Sequence, residues 1–497
     1  MIMTEKLIKA REYEEHKEKT ISKEQRPLFH LTPRCGWMND PNGFCFYKGS
    51  YHLFYQYYPY DTIWGPMHWG HAKSRDLISW EYLPAALAPD EDYDKDGCFS
   101  GSALALEDGR HLLVYTGVRK ERDENGEEKE TQTQCIALGD GINYEKYSGN
   151  PVITSDLLPK GAGKVDFRDP KIFRENGRYS IVVGNKTEDK DGQLLRFSSG
   201  DALNWSYDGL LIKNGLRYGI MWECPDYFTL DGRQVLLVSP QDMQAQGFDF
   251  HSGNGTLCLI GAEDDSGCFK GEHFQTIDHG MDFYAPQTVL AEDGRRIMIG
   301  WLQNWDTLAY KREDLQWFGQ MSLPREISIK DDRLIQRPVS ELENYYGKSI
   351  SRQGILLEES TSFPGIKGRC LDMTLTIRSA EPGLSYRRFE IRFAQKGSTY
   401  SSIEYDPEEN TVRADRSHSG SRRAILHERT CRVSDRKGTI TLRLILDRFS
   451  AELFLNEGEQ VMSMTVLTDK EAEEITFITS GKALMDVTMH ELGRQVE

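Results

Sequence analysis

Five stretches decide the fold: YHLFYQ (Tyr51–Gln56), HLLVYTG (His111–Gly117), YSIVVG (Tyr179–Gly184), QVLLVSP (Gln234–Pro240) and RIMIGW (Arg296–Trp301). Each is a short apolar, β-favouring run bounded by Gly, Asp or Asn, which is the pattern of a strand between turns. They recur about 55 to 68 residues apart, a period that suits one four-stranded sheet per copy. Three copies continue into a similar second element: AKSRDLISWEYL from Ala72, ALGDGINYEKY from Ala137 and RFSSGDALNWSYDG from Arg196. Five such sheets arranged radially predict a five-bladed β-propeller over residues 27–336, with the quoted runs read as the first strand of each blade. An irregular sandwich with recurring hairpins is the other arrangement the repeat allows.

Beyond about residue 336 the repeat stops. The chain then alternates apolar and polar residues in LDMTLTIRS from Leu371, RRFEIRFAQ from Arg387, TITLRLILD from Thr439 and AELFLNE from Ala451. Period-2 alternation without helical periodicity predicts a second all-β unit over 350–497, a β-sandwich. Residues 1–26 are rich in Lys and Glu and read as a charged arm with a short solvated helix.

At 497 residues the chain is long enough for two cores, and 38% hydrophobic with 28% charged residues is an ordinary globular balance. A formal net charge of -17 argues against nucleic acid as a partner, since phosphate binding needs clustered Lys and Arg. No stretch reaches the roughly 20 apolar residues that span a bilayer, and the charged start lacks the apolar core of a signal peptide. The nine cysteines are scattered without a CxxC pair, which reads as reduced thiols and, with the start, as a cytoplasmic protein. Nothing in their spacing suggests zinc, and no cofactor motif appears. Monomer and homodimer are both left open.

The segment GWMNDPNG (Gly36–Gly43) lies just ahead of the first quoted strand. Turn chemistry accounts for Asp-Pro-Asn-Gly but not for Trp37 and Met38, whose company suits a sugar pocket floored by one carboxylate, Asp40. VDFRDPKIF places Arg168 and Asp169 at the equivalent point before the third copy, and MWECPDYF places Glu223 before the fourth. Alone, Arg-Asp-Pro reads as easily as a surface turn with a weak ion pair. The apolar neighbours of Glu223 favour its neutral, proton-donating form; the bland alternative is a solvated rim glutamate. Three carboxylates at equivalent blade positions converge on the axis, and glycoside cleavage needs one carboxylic acid and one carboxylate. An acidic cluster also suits calcium, but no loop here supplies the several oxygens calcium takes. A non-catalytic carbohydrate-binding propeller would keep the aromatic residues without needing three acids.

At these segments the chain resembles glycoside hydrolase family 32, the family of invertases, sucrose-6-phosphate hydrolases, inulinases and levanases. The WMNDPNG, RDP and EC motifs stand at Trp37–Gly43, Arg168–Pro170 and Glu223–Cys224. Further matching pieces are FYQ ending at Gln56, WGPMHWGHAKSRDLISWE from Trp64, FSGS at Phe99–Ser102, APQ at Ala285–Gln287 and GQMSLPRE from Gly319. LILDRFSAELFLNEGE from Leu444 resembles the family's sandwich signature; the arm before residue 27 has no assignable counterpart.

The resemblance implies a retaining β-fructofuranosidase acting on sucrose, sucrose 6-phosphate or short fructo-oligosaccharides, with no metal. Asp40 would be the nucleophile, Glu223 the acid and base, and Asp169 the transition-state stabiliser. Asn39, Gln56, Trp64, Phe99, Ser100, Arg168 and Trp301 would line the fructose subsite, although Trp64 and Trp301 read equally as blade core. Retention predicts the Asp40 and Glu223 carboxyls about 5 to 5.5 Å apart. Fructosyl transfer, or exo-cleavage of inulin or levan, would use the same residues. Lys164, Arg217 and Lys311 are the basic candidates for a phosphate on the leaving group.

Overall fold

The computed structural model describes residues 3–122, 125–309, 312–421, 423 and 425–493. Five sheets, antiparallel apart from one late strand added to the first, follow one another along the chain, then two six-stranded sheets. The innermost strands of the five blades are Gly36–Tyr47, Gly97–Ala105, Ala162–Glu175, Met221–Leu230 and Tyr284–Leu290. Each packs against the innermost strands of its neighbours, and the fifth meets the first, so the ring closes. The protein is a five-bladed β-propeller followed by a β-sandwich.

The runs quoted for the repeat are the second strand of each blade, not the first: Ser50–Tyr58, His111–Arg122, Arg178–Thr187, Arg233–Gln241 and Arg296–Trp301. The acidic segments read as turns ahead of the blades are themselves the innermost strands. They hide from a strand pattern because they carry Asn, Asp, Pro and Gly, yet Gly36–Tyr47 is buried almost throughout. Pairing to the second strand slips by one residue in every blade, at Met38/Pro41, Phe99/Gly101, Val182/Gly184 opposite Arg168, Glu223/Asp226 and Tyr284/Gln287. In four blades a proline stands in the slip: Pro41, Pro170, Pro225 and Pro286. Proline has no N–H to give to the ladder, so a bulge forms where it sits and re-aims the residue before it.

The first blade is sealed by a late segment. Trp317–Phe318 pairs in parallel with Gly36 and Trp37. Gly319 follows at φ +86°, where a Cβ would lie 2.1 Å from the Met38 carbonyl oxygen and 2.9 Å from Trp301 Nε1. Only glycine lets the closing strand approach so near the motif that carries Asp40.

The N-terminal helix, Glu5–Glu18, is docked and not solvated. Leu7, Ala10 and Glu14 form one buried stripe, and Arg11 Nε donates to the Ala85 carbonyl at 2.9 Å. Glu14 accepts from the Ala85 amide at 2.9 Å, and burial pushes its carboxyl up to about 7 against the pull of that bond and of Arg34. The charged sequence concealed this because the docking face is narrow and includes a glutamate.

The last blade strand is Arg333–Pro338, and strand pairing in the sandwich begins at Tyr346, ahead of residue 350. That strand, Tyr346–Leu357, is largely exposed, so apolar alternation does not reveal its start. The sandwich core gathers Leu371, Met373, Phe389, Ile391, Leu442 and Leu444 among others. It joins the propeller through a buried polar seam. His30 places Nδ1 2.9 Å from Asp447 and Nε2 2.9 Å from Glu452, while Arg325 reaches Glu452 at 2.6 Å and Asp278 at 3.0 Å.

Candidate active site

The bulges aim side chains from all five blades at the propeller axis. Asp40 comes from the first blade, Phe99 and Ser100 from the second, Arg168 and Asp169 from the third, Glu223 and Cys224 from the fourth, and Tyr284 from the fifth. Asp169, Cys224 and Ala285 hold φ at +66°, +48° and +51°, a left-handed backbone that side chains with a Cβ rarely adopt. Such strain persists only where the surroundings over-determine it, and it marks three of the five bulges.

These side chains form two adjoining hydrogen-bonded groups, one around Asp40 and Asp169 and one around Glu223. Asp40 Oδ2 accepts from the Ser100 hydroxyl at 2.7 Å and from the Cys224 thiol at 3.5 Å. Its other oxygen, Oδ1, has no hydrogen-bond partner among the described residues. Asp169 Oδ2 accepts from the Cys224 amide at 3.0 Å, and the Asp169 amide donates to Thr116 Oγ1 at 3.0 Å. Cys224 thus stands between two carboxylates. Arg168 donates through Nε to Glu223 Oε1 at 2.9 Å and through a terminal nitrogen to Asp166 at 2.7 Å. The Tyr284 hydroxyl donates to Glu223 Oε2 at 2.7 Å.

Burial sets the charges of this cluster. Asp40 and Asp169 are 8% and 5% exposed, and burial, then the nearby Glu223, raises both carboxyls above their ordinary range. Burial alone would lower Arg168, but Glu223, Asp169 and Asp166 together more than offset it and hold the guanidinium charged. Burial, reinforced by the adjacent carboxylates, keeps the Cys224 thiol and the Tyr284 phenol protonated. Glu223 keeps more contact with solvent, its side chain 14% exposed.

The remaining sequence candidates divide. Asn39 is buried beside Asp40 and its Oδ1 accepts from the Trp37 indole at 2.7 Å. Gln56 is buried and donates to the Cys98 carbonyl at 2.9 Å, which supports the strand carrying Phe99 and Ser100. Trp64 is 42% exposed and meets Phe99 edge-on at 5.9 Å, an aromatic wall at the rim. Trp301 is fully buried, packed on Trp305 at 5.1 Å and Trp37 at 6.1 Å, in the same buried cluster as Cys224 and Tyr284. Lys164 is exposed at the start of the third blade's innermost strand, and the exposed Arg217 lies over the Tyr218 and Phe274 rings. Lys311 lies outside the described residues. Tyr284, and Phe318 whose ring stacks on Trp37 at 4.7 Å, escaped the sequence reading; the recurrence of proline in the innermost strands was the signal for Tyr284, two residues ahead of Pro286.

Among the described residues no group of three or more His, Cys, Asp or Glu is disposed to hold a metal ion, and no helix is long and apolar enough to cross a membrane. One carboxylate with an unpartnered oxygen lies near enough to feel the charge of a second carboxyl held by a cation and a phenol, and a third lies buried beside them. That is the equipment of a glycoside hydrolase working by carboxylate chemistry.

Comparison with known proteins agrees and narrows the class. Residues 30–338 match the glycosyl hydrolases family 32 N-terminal domain and residues 341–491 match the glycosyl hydrolases family 32 C terminal. The chain is 36% identical over 465 residues to the sucrose-6-phosphate hydrolase of Escherichia coli, covering 91% of this chain and 92% of that one. It is 34% identical to a solved GH32 beta-fructofuranosidase of Bombyx mori, with a TM-score of 0.83 over 99% of this chain and 98% of that one. A mutant of the same enzyme, in complex with sucrose, also superposes with a TM-score of 0.83. The protein belongs to glycoside hydrolase family 32.

Proposed function

We infer that the protein is a retaining β-fructofuranosidase that hydrolyses the terminal β-D-fructofuranosyl bond of sucrose and sucrose 6-phosphate. The observation that carries this is the gathering of Asp40, Asp169 and Glu223 at the blade bulges, with Cys224 bonded to the first two and Arg168 and Tyr284 bonded to the third. The named relatives, a sucrose-6-phosphate hydrolase and a fructofuranosidase whose mutant holds sucrose, support the substrate class.

In this reading Asp40 is the nucleophile. Ser100 and Cys224 anchor one oxygen and leave Oδ1 free to attack C2 of the fructosyl unit. Glu223 gives its proton to the glycosidic oxygen as the C2–O bond breaks, and the glucosyl product leaves as an alcohol. The ionised Glu223 then takes a proton from water, whose oxygen attacks C2 and releases Asp40, so two displacements retain the configuration. Asp169 accepts hydrogen bonds from ring hydroxyls of the fructosyl unit, contacts that strengthen as positive charge develops at the ring. Arg168 keeps Glu223 aligned, and Trp64 with Phe99 walls the rim against which a sugar face packs.

The nine free cysteines, most of them buried, support a cytoplasmic enzyme that meets an imported disaccharide or its phosphate, in preference to long fructans. Light scattering distinguishes the monomer from the homodimer that the sequence left open. The functional test is fructose release from sucrose, sucrose 6-phosphate, kestose and inulin in parallel. Wild type is expected to cut the disaccharides faster than inulin, and Asp40→Ala and Glu223→Ala to cut none at a comparable rate. Binding of every sugar without cleavage would replace this reading with a carbohydrate-binding propeller.

A further inference from the structure

The acid and base role demands that one carboxyl be protonated when the first bond breaks and ionised when water arrives. The two oxygens of Glu223 are not equivalent in this respect. Oε1 faces Arg168 Nε at 2.9 Å, and a guanidinium has only donors, so a proton on Oε1 would point at another hydrogen. A proton on Oε2 instead meets, at 2.7 Å, the Tyr284 hydroxyl, which can turn to accept it, and this favours Oε2 as the proton's carrier.

Tyr284 is fully buried, and its hydroxyl has a second acceptor within reach: the Ser239 carbonyl at 3.2 Å. Ser239 is the cross-strand partner of Glu223 in the fourth blade. The Ser239 hydroxyl in turn accepts from the Ala285 amide at 3.0 Å and pins the bulge that presents Tyr284. The phenol thus sits between a carboxylate oxygen and a carbonyl oxygen, with a single proton to give. A hydroxyl both donates and accepts, and its O–H rotates at little cost.

We propose that Tyr284 is a positioning residue whose hydroxyl turns between Glu223 and the Ser239 carbonyl as Glu223 changes protonation state. With Glu223 ionised, Tyr284 donates to Oε2. With Glu223 protonated, Tyr284 donates to Ser239 and accepts from, or stands clear of, the Oε2 proton. As that proton passes to the glycosidic oxygen, the phenol swings back and stabilises the charge appearing on Oε2. The phenolic proton itself never leaves, in keeping with a group that burial and Glu223 hold well above its ordinary pKa. The other ionisable groups facing Glu223 are Arg168, backed by Asp166 and Lys186, together with Asp169, Asp40 and Cys224. Among these only Arg168 donates directly to the Glu223 carboxyl, and a guanidinium cannot reverse.

This inference rests on the assignment of Glu223 as acid and base, and the test separates the two. Tyr284→Phe keeps the ring and removes the switch. On sucrose its kcat is expected to fall about 10- to 100-fold with KM changed less than about threefold, the size of a partial loss of acid–base catalysis. With β-fructosyl fluoride as donor and azide as acceptor neither step needs the Glu223 proton, and the variant is expected to come within about threefold of wild type. An equal loss in both assays, or no loss on sucrose, would overturn the proposal. Failure of wild type itself to cleave sucrose would instead overturn the parent assignment. A neutron structure of the wild-type protein provides a check free of any folding defect in the variant. The Tyr284 deuterium is expected to face Oε2 at high pH and Ser239 at low pH, and one orientation at both would refute the switch.

Discussion

Replacing His30 by Gln at the seam between propeller and sandwich isolates one charge. Both imidazole nitrogens of His30 lie 2.9 Å from carboxylates, Asp447 and Glu452, so the ring holds two protons and is cationic in the folded protein. Burial opposes this, but the two carboxylates prevail and lift its pKa from 6.5 to about 9. A histidine raised in the folded state contributes stability in full below about pH 6.5 and loses it as pH climbs through about 9. That difference corresponds to about 3 kcal/mol at about 1.4 kcal/mol per tenfold. For a chain of this length the entropy of unfolding makes it about 3 °C in melting temperature. Calorimetric melts of wild type and His30→Gln at pH 6 and pH 10 are expected to show a wild-type advantage about 3 °C larger at pH 6, other titrations cancelling in the difference. An advantage equal at both pH values would refute the doubly bonded imidazolium. On the acid side His30 and neighbouring backbone amides overcome burial and keep Asp447 down at about 2, so its contribution is full above the ordinary carboxylate value of 3.8 and is lost as pH falls from there through about 2.

Four other outcomes follow from the site and the arm. The nucleophile proposed at Asp40 would have to be ionised, and burial followed by Glu223 raises its carboxyl, so kcat/KM is expected to fall on acidification at a pH above the ordinary carboxylate range. Ser100→Ala, which removes a donor to that carboxylate, is expected to move the acid limb of the pH–rate profile up by about one pH unit. Asp169→Asn is expected to lower kcat by about 10²-fold or more while raising the melting temperature at pH 8 by about 1–3 °C. The sign follows from an acid whose folded pKa is raised: its ionised form costs stability at high pH, and the gain on removing it vanishes toward pH 4. Deleting residues 1–22 uncovers the face on which Leu7, Ala10 and Glu14 dock and is expected to cost about 3 kcal/mol, with KM for sucrose unchanged, read by melting and kinetics.

Much of the architecture was legible in the sequence because the second strand of each blade is an uninterrupted apolar run, and five such runs at a regular interval fit few architectures besides a propeller. The innermost strands were not, and for a reason tied to function. Asp40-Pro41, Asp169-Pro170 and Cys224-Pro225 break the β pattern in order to bulge, and the bulge is what turns each side chain to the axis. The local rule fails where the chemistry lies. Asp40, Asp169 and Glu223 were legible as acids set in unusual company, but their wiring was not. Tyr284 looks like an ordinary strand aromatic until Ser239 and Glu223 are seen on either side of its hydroxyl. The buried seam was equally hidden, since His30 and Asp447 are more than four hundred residues apart in the chain.

The central claim, that Asp40 and Glu223 cleave by double displacement, is tested most directly by letting methanol compete with water during sucrose cleavage. Methanol traps the fructosyl unit as a methyl fructofuranoside, which does not mutarotate, and NMR reads its anomer. The account predicts the β-anomer alone, formed by wild type and abolished by Asp40→Ala. The α-anomer would mean a single displacement with inversion, and Asp40 would then not be the nucleophile.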